Sequence, residues 1–201
     1  MLPDIPKASW RPALEGWSDD ILPFYRQIAE WLPPDGTVVE VGTAHGRSAV
    51  YLAEQLLRLG KPDVALYCVD FWPGAEFDKI LRTVGWPDLA LEGQRERSGR
   101  ATIEEARLLR LVRCDGVQAA RLFDDDSLDL VFIDSDHTYE GMMAHLPVWS
   151  AKVKPTGIIA GHDYNANDWP GVVQAVDEYF GSEVRRPTRS VWEFRYAGGS
   201  L

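Results

Sequence analysis

Cysteine is scarce in this chain: its 201 residues include two, Cys68 and Cys114, and no Cys-x-x-Cys pair. A disulfide scaffold and a thiolate metal clamp are thereby excluded. Each cysteine lies in an apolar, strand-like segment where a buried reduced thiol is expected. Positive charge is also in short supply, with 21 Lys and Arg against 31 Asp and Glu and a formal net charge of −10. A field of that sign repels phosphate backbones and anionic lipid, so neither nucleic acid nor a membrane surface is expected as a partner. No apolar run approaches the roughly 18 residues of a membrane span. The first residues, Met-Leu-Pro-Asp-Ile-Pro-Lys, lack the basic and apolar segments of a signal peptide, which points to a cytoplasmic protein. Internal repeats and low-complexity tracts are missing too.

What is present is enough apolar material, 45% of the residues, for one sizeable core. A single domain over 1–201 is expected, with an N-terminal helical segment in 1–34. Asp19 to Leu32 has apolar residues at Ile21, Leu22, Phe24, Tyr25, Ile28, Ala29 and Trp31, which predicts a helix with an acidic first turn. An apolar helix at the start also invites a homodimer. Strands are predicted over 37–41, 64–70, 109–114, 128–134 and 156–161, and helices over 46–59, from Val117, over 139–151 and over 170–180. Strands alternating with helices imply a doubly wound, mostly parallel α/β sheet. Residues 183–187 and 190–196 read as a C-terminal antiparallel hairpin, bringing the expected count to seven strands. The segment 71–108 interrupts the alternation and is expected to form a lid or substrate wall, or else a surface excursion.

Residues 37–48, Thr-Val-Val-Glu-Val-Gly-Thr-Ala-His-Gly-Arg-Ser, read as a buried strand running through a glycine loop into a helix. The spacing of Gly42 and Gly46 departs from Gly-x-Gly-x-x-Gly, and no Gly-Lys-Ser/Thr follows, which excludes a Walker loop. Alone, this is either a nucleoside-cofactor seat or a tight structural turn. His45 contacts the cofactor or shapes the loop.

Downstream acids fall at predicted strand ends, where the crevice of an open parallel sheet lies. Asp70 ends the second strand and is placed to accept from ribose hydroxyls. Asp115 follows the third and suits an exocyclic amine or a helix cap. The fourth ends in Ile-Asp-Ser-Asp-His-Thr-Tyr-Glu and the fifth in Gly-His-Asp-Tyr, which brings Asp134, Asp136, His137, His162 and Asp163 to neighbouring strand ends. Packed like charges need a cation or donors to offset them. Asp134 and Asp163 suit Mg²⁺ or Mn²⁺, and His162 tilts the preference toward Mn²⁺, Fe²⁺ or Zn²⁺. The alternative is that His162 and Asp163 cap the next loop.

Over residues 35–195 these motifs resemble the class I S-adenosylmethionine-dependent methyltransferases, in particular the small-molecule O-methyltransferases of the macrocin and cephalosporin hydroxylase-like group. The resemblance implies a Rossmann-like fold and S-adenosylmethionine as cofactor, held by Glu40, Gly42, Thr43, Ala44, Gly46, Ser48, Asp70, Phe71, Trp72, Asp115, Gly116, Asp134 and Ser135. It further implies a Mg²⁺ or Mn²⁺ site at Asp134, His162 and Asp163, with His137 as base and Asp134 and Asp136 beside it. His162 departs from the acid usual at its position. The implied reaction methylates a hydroxyl of a small molecule, a sugar or phenolic natural product. An iron-dependent hydroxylase-like enzyme, a non-catalytic cofactor-binding protein and a nicotinamide dehydrogenase are the rival expectations.

Overall fold

The β-branched run Val38-Val39-Val41 forms strand β1 (Thr37–Val41), buried on both faces as a central parallel strand must be. The computed structural model describes residues 19–73 and 107–196. Residues 1–18 of the expected N-terminal segment 1–34 and nearly all of the 71–108 insertion lie outside the described residues. Within them the elements follow in the order α1 (Ile21–Trp31), β1, α2 (Arg47–Arg58), β2 (Ala65–Asp70), β3 (Leu109–Arg113), α3 (Gly116–Ala119), β4 (Leu128–Ile133), α4 (Tyr139–Ser150), β5 (Val153–Gly161), α5 (Pro170–Phe180) and β6 (Trp192–Arg195). The six strands form one sheet in the order β3-β2-β1-β4-β5-β6, parallel except for β6, which runs antiparallel to β5. This is the expected Rossmann-like class.

Side-chain alternation along the strands divides the core into two layers. Val38, Leu66, Cys68, Leu130, Phe132, Ile158 and Ala160 face α1 and α2. Val39, Val41, Val69, Val131, Ile133 and Ile159 face α3, α4 and α5. Burial of the apolar stripes of α1 and α2 on the first face fixes where the glycine loop between β1 and α2 must pass. Chain order reverses between β1 and β4, so the crevice at the carboxyl ends of those strands is a topological switch point.

Three expectations need correction. The hairpin supplies only one strand to the sheet: Gly181–Glu183 winds into a 3-10 turn, and its first arm is reduced to a single bridge between Arg185 and Glu193. Among the described residues, six strands therefore stand where seven were expected. Strand β5 starts at Val153 rather than 156 because a register shift against β4 at Leu128/Leu130 accommodates the extra residues. Gly157 lies in that irregular stretch, where a Cβ would come within 2.6 Å of Val153 and 2.9 Å of the Asp129 carbonyl. Finally, α1 has no acid in its first turn; Asp20 precedes it as the N-cap residue. Among the described residues, no helix is long and apolar enough to cross a membrane.

Candidate active site

At the switch point lies a cavity of about 750 Å³. Its floor is made by the strand ends and the tight loops beyond them. Gly42, at φ +90°, follows β1 so closely under the next loop that a Cβ would lie 1.9 Å from the carbonyl oxygen of Asp134. Asp70, at the end of β2, stitches two loops together: Oδ2 accepts from the Ala44 amide at 2.8 Å and Oδ1 from the Trp72 amide at 3.1 Å. The Trp72 indole returns a hydrogen bond to the Ala44 carbonyl at 2.7 Å. Ala44, Trp72 and Asp163 all have positive φ, a strained conformation for residues with a side chain, and all three flank this crevice.

Of the residues implied for the cofactor, Gly42, Ala44, Asp70, Phe71, Asp115, Gly116, Asp134 and Ser135 line the cavity, joined by Asp136 and His137. Asp115 serves both expected roles in part, lining the cavity while accepting from the Val117 and Gln118 amides as the cap of α3. Glu40, Thr43, Gly46, Ser48 and Trp72 do not line it. The reason for Glu40 is the period of the strand: it shares a face with Val38 and points into the α1/α2 layer. There it accepts from the Tyr25 hydroxyl at 2.5 Å and the Ser48 hydroxyl at 3.0 Å. Burial, only partly offset by those two hydrogen bonds, raises its pKa to about 7. Thr43 donates back to the Glu40 carbonyl, and Gly46 is the left-handed N-cap of α2. These residues build the loop from beneath.

Beside the cavity, β4 and β5 bring together the predicted charged cluster. One ligand atom each from Asp134, His162 and Asp163 can be chosen so that all lie within 4.8 Å of one another. Nδ1 of His162 is 3.6 Å from Asp134 Oδ1 and 3.3 Å from Asp163 Oδ1. Cis ligands about 2.1 Å from an octahedral ion stand roughly 3 Å apart, so the two His162 pairs are near that spacing and the set of three would close in around a small divalent cation. His137 Nε2 lies 2.6 Å from Asp163 Oδ2 and 3.8 Å from Asp134 Oδ1. Hydrogen bonds to Asp134 and Asp163 raise the His137 pKa to about 9. Burial opposes the same effect at His162, yet Asp134 and Asp163 still carry it to about 11. Both imidazoles are therefore cationic at neutral pH, offsetting the carboxylates with protons where an ion would offset them with its own charge.

Asp136 does something else. Its Oδ1 accepts from both the Thr138 amide at 2.9 Å and the Thr138 hydroxyl at 2.7 Å, fixing the residue that caps α4. Four features escaped the sequence reading. His145, on α4, lines the cavity with Nδ1 at 2.8 Å from the Gly141 carbonyl and Nε2 at 3.2 Å from the Ser135 hydroxyl. Thr138 and Trp169 also line it, and the Trp169 ring lies 4.4 Å from that of His137, tilted by 30°. Asp20 meets His162 from the other side. His145 lies four residues after Gly141, on one helical face with the loop below; that period was the available signal. Nothing local marked Asp20 or Trp169.

Glycine loop, strand-end acids and switch-point cavity together are the architecture of the Rossmann-like class. Residues 39–164, more than half of the chain, match the methyltransferase domain family, and the chain belongs to it. A search of curated proteins finds no match. Among solved structures the chain is similar to the O-methyltransferase NovP, at 20% identity and a TM-score of 0.60 over 88% of this chain and 79% of that one. CalS11, a TDP-rhamnose 3'-O-methyltransferase of calicheamicin biosynthesis, is similar at 19% identity and 0.59, covering 88% of this chain and 77% of that one. An rRNA methylase from Streptococcus thermophilus follows at 13% and 0.58, covering 90% and 99%. At these identities the likeness concerns the fold.

Proposed function

We propose that the chain transfers a methyl group from S-adenosylmethionine to a hydroxyl of a small molecule, a sugar or a phenolic natural product, with a divalent cation held by Asp134, His162 and Asp163. The supporting observation is the convergence of Asp70, Asp115, Asp134 and His137 on one cavity beside a three-ligand cluster. The O-methyltransferases NovP and CalS11 share the fold. An rRNA methylase does too, but a formal charge of −10 disfavours a phosphate backbone as acceptor here.

The donor's sulfonium supplies an already activated methyl group. Asp70 retains lone pairs, beyond those engaged by the Ala44 and Trp72 amides, for ribose hydroxyls. Asp115 has capacity for an exocyclic amine. Four carboxylates around the cavity, Asp70, Asp115, Asp134 and Asp136, favour the positive charge of the donor over its neutral product. When bound, a divalent cation would lower the pKa of the acceptor hydroxyl. Phe71 and Trp169, 65% and 41% exposed, offer flat apolar faces against which a sugar or phenol ring can lie. Holding the acceptor in line is worth roughly 7–11 kcal/mol of the barrier. His137 takes the hydroxyl proton at Nε2. With a pKa near 9 it does so only when Asp134 and Asp163 are engaged by another positive charge. Asp136 positions the start of α4 through Thr138.

The test is formation of S-adenosylhomocysteine from S-adenosylmethionine with catechol or a TDP-sugar as acceptor and Mn²⁺ or Mg²⁺ present. His137→Ala should lower turnover by about 10²–10⁴-fold. Its affinity for S-adenosylhomocysteine, measured by calorimetry, should stay as in the wild type. Undiminished turnover would move the base elsewhere, and loss of cofactor affinity in step with turnover would make His137 a binding residue.

A further inference from the structure

Helix α1 begins with a capping residue that does not cap. Asp20 stands at the N-cap, where an aspartate normally accepts from amides of its own first turn. Its side chain makes no such hydrogen bond. Instead its Oδ1 lies 2.9 Å from Nε2 of His162, 142 residues further along the chain. The histidine side chain is 9% exposed and the aspartate 27%, so the contact is sheltered from water. The preceding Asp19 pairs with Arg47, the first residue of α2. Two consecutive acids thus tie the start of α1 to the helix after the glycine loop and to the end of β5.

The Asp20 contact decides what His162 offers on its other edge. With Nε2–H given to Asp20, the proton a cation would displace is the one on Nδ1, and Nδ1 is the nitrogen that faces Asp134 and Asp163. A carboxylate on the remote nitrogen orients a metal-binding histidine and makes its free nitrogen more basic. We infer that Asp20 is a positioning residue that holds His162 so that its Nδ1 completes a mixed nitrogen and oxygen site with Asp134 and Asp163, favouring Mn²⁺ or a later transition cation over Mg²⁺. Nitrogen in the donor set is what produces the preference, because Mg²⁺ selects an all-oxygen shell with several waters. The inference rests on the divalent-cation reading above and deepens it: a residue outside the cluster sets which ion the cluster takes.

The experiment adds Mn²⁺ to the cation-free full chain and follows binding by electron paramagnetic resonance, with pulsed spectra read for nitrogen hyperfine coupling. The wild type should show a directly bonded imidazole nitrogen and bind Mn²⁺ at least about tenfold more tightly than Mg²⁺. His162→Asp should abolish the nitrogen coupling and narrow that ratio. Asp20→Ala should weaken Mn²⁺ binding about 10–100-fold. Asp20→Asn, whose amide oxygen still accepts from Nε2–H, should recover most of the loss. Bound Mn²⁺ without nitrogen coupling in the wild type would overturn the inference, whatever the variants do; so would undiminished Mn²⁺ affinity in Asp20→Ala. S-adenosylhomocysteine affinity, measured without any cation, separates the two readings. Its absence would overturn methyl transfer and leave the Asp20 result standing, whereas a wild type that binds no Mn²⁺ would overturn the cation site alone.

Discussion

Glu40 shows how the period of a strand decides which layer a motif residue faces. The motif around it is visible in the sequence, but the side chain belongs to the α1/α2 layer, an assignment that the period of β1 already contained. Its pKa of about 7 exceeds the ordinary 4.5 chiefly because of complete burial. The folded state therefore keeps a proton that the unfolded chain releases between pH 4.5 and 7. Stability is fully present below about 4.5, declines as pH rises through that window, and levels off above 7, by about 3 kcal/mol for this group. Glu40→Gln keeps an acceptor for the Tyr25 hydroxyl and removes the ionisation. The variant should lose that decline and melt above the wild type at pH 8. Thermal denaturation of both proteins between pH 4.5 and 8 checks this, and parallel curves would relieve Glu40 of the effect.

Among elements, the strands and helices were legible wherever a regular apolar period ran through them, as in β1, α2, β4 and α5. What the sequence concealed depends on contacts between distant segments: the shift that lengthens β5, the shortened hairpin arm, and the pairing of Asp20 with His162. The site divides in the same way. Asp70, Asp115, Asp134, His137 and Asp163 were readable because strand ends in a parallel sheet converge by topology. Trp169 and Asp20 were not, since their partners lie on other elements. The glycine loop offers a test at this scale. Gly42 combines φ +90° with a carbonyl 1.9 Å from any added Cβ, while Gly60 has φ +70° and nothing within 4 Å. Gly60→Ala should cost about 1 kcal/mol, the backbone penalty alone. Gly42→Ala should cost about 3 kcal/mol or more, because the loop after β4 has to move. Equal losses in denaturant titrations would mean that the crossing of these two loops is looser than the geometry indicates.

For the molecule as a whole, a cavity assembled from loops after β1, β2, β3 and β4 couples ligand binding to the stability of the entire sheet. A ligand that binds only the folded state stabilises it by about 2.7 kcal/mol at one hundred times its dissociation constant. For a chain of 201 residues each kcal/mol raises the melting temperature by roughly 2–4 °C. S-adenosylhomocysteine at that concentration should therefore raise it by roughly 5–10 °C, whereas NAD, with its paired phosphates, should be repelled by Asp70, Asp115 and Asp134 and give no comparable rise. Asp70→Ala removes a hydroxyl acceptor and also releases the amides of Ala44 and Trp72, so it should reduce the rise at the same ligand concentration. An undiminished rise in that variant would take the ribose away from Asp70. A rise with NAD and none with S-adenosylhomocysteine would turn the cavity over to a different cofactor.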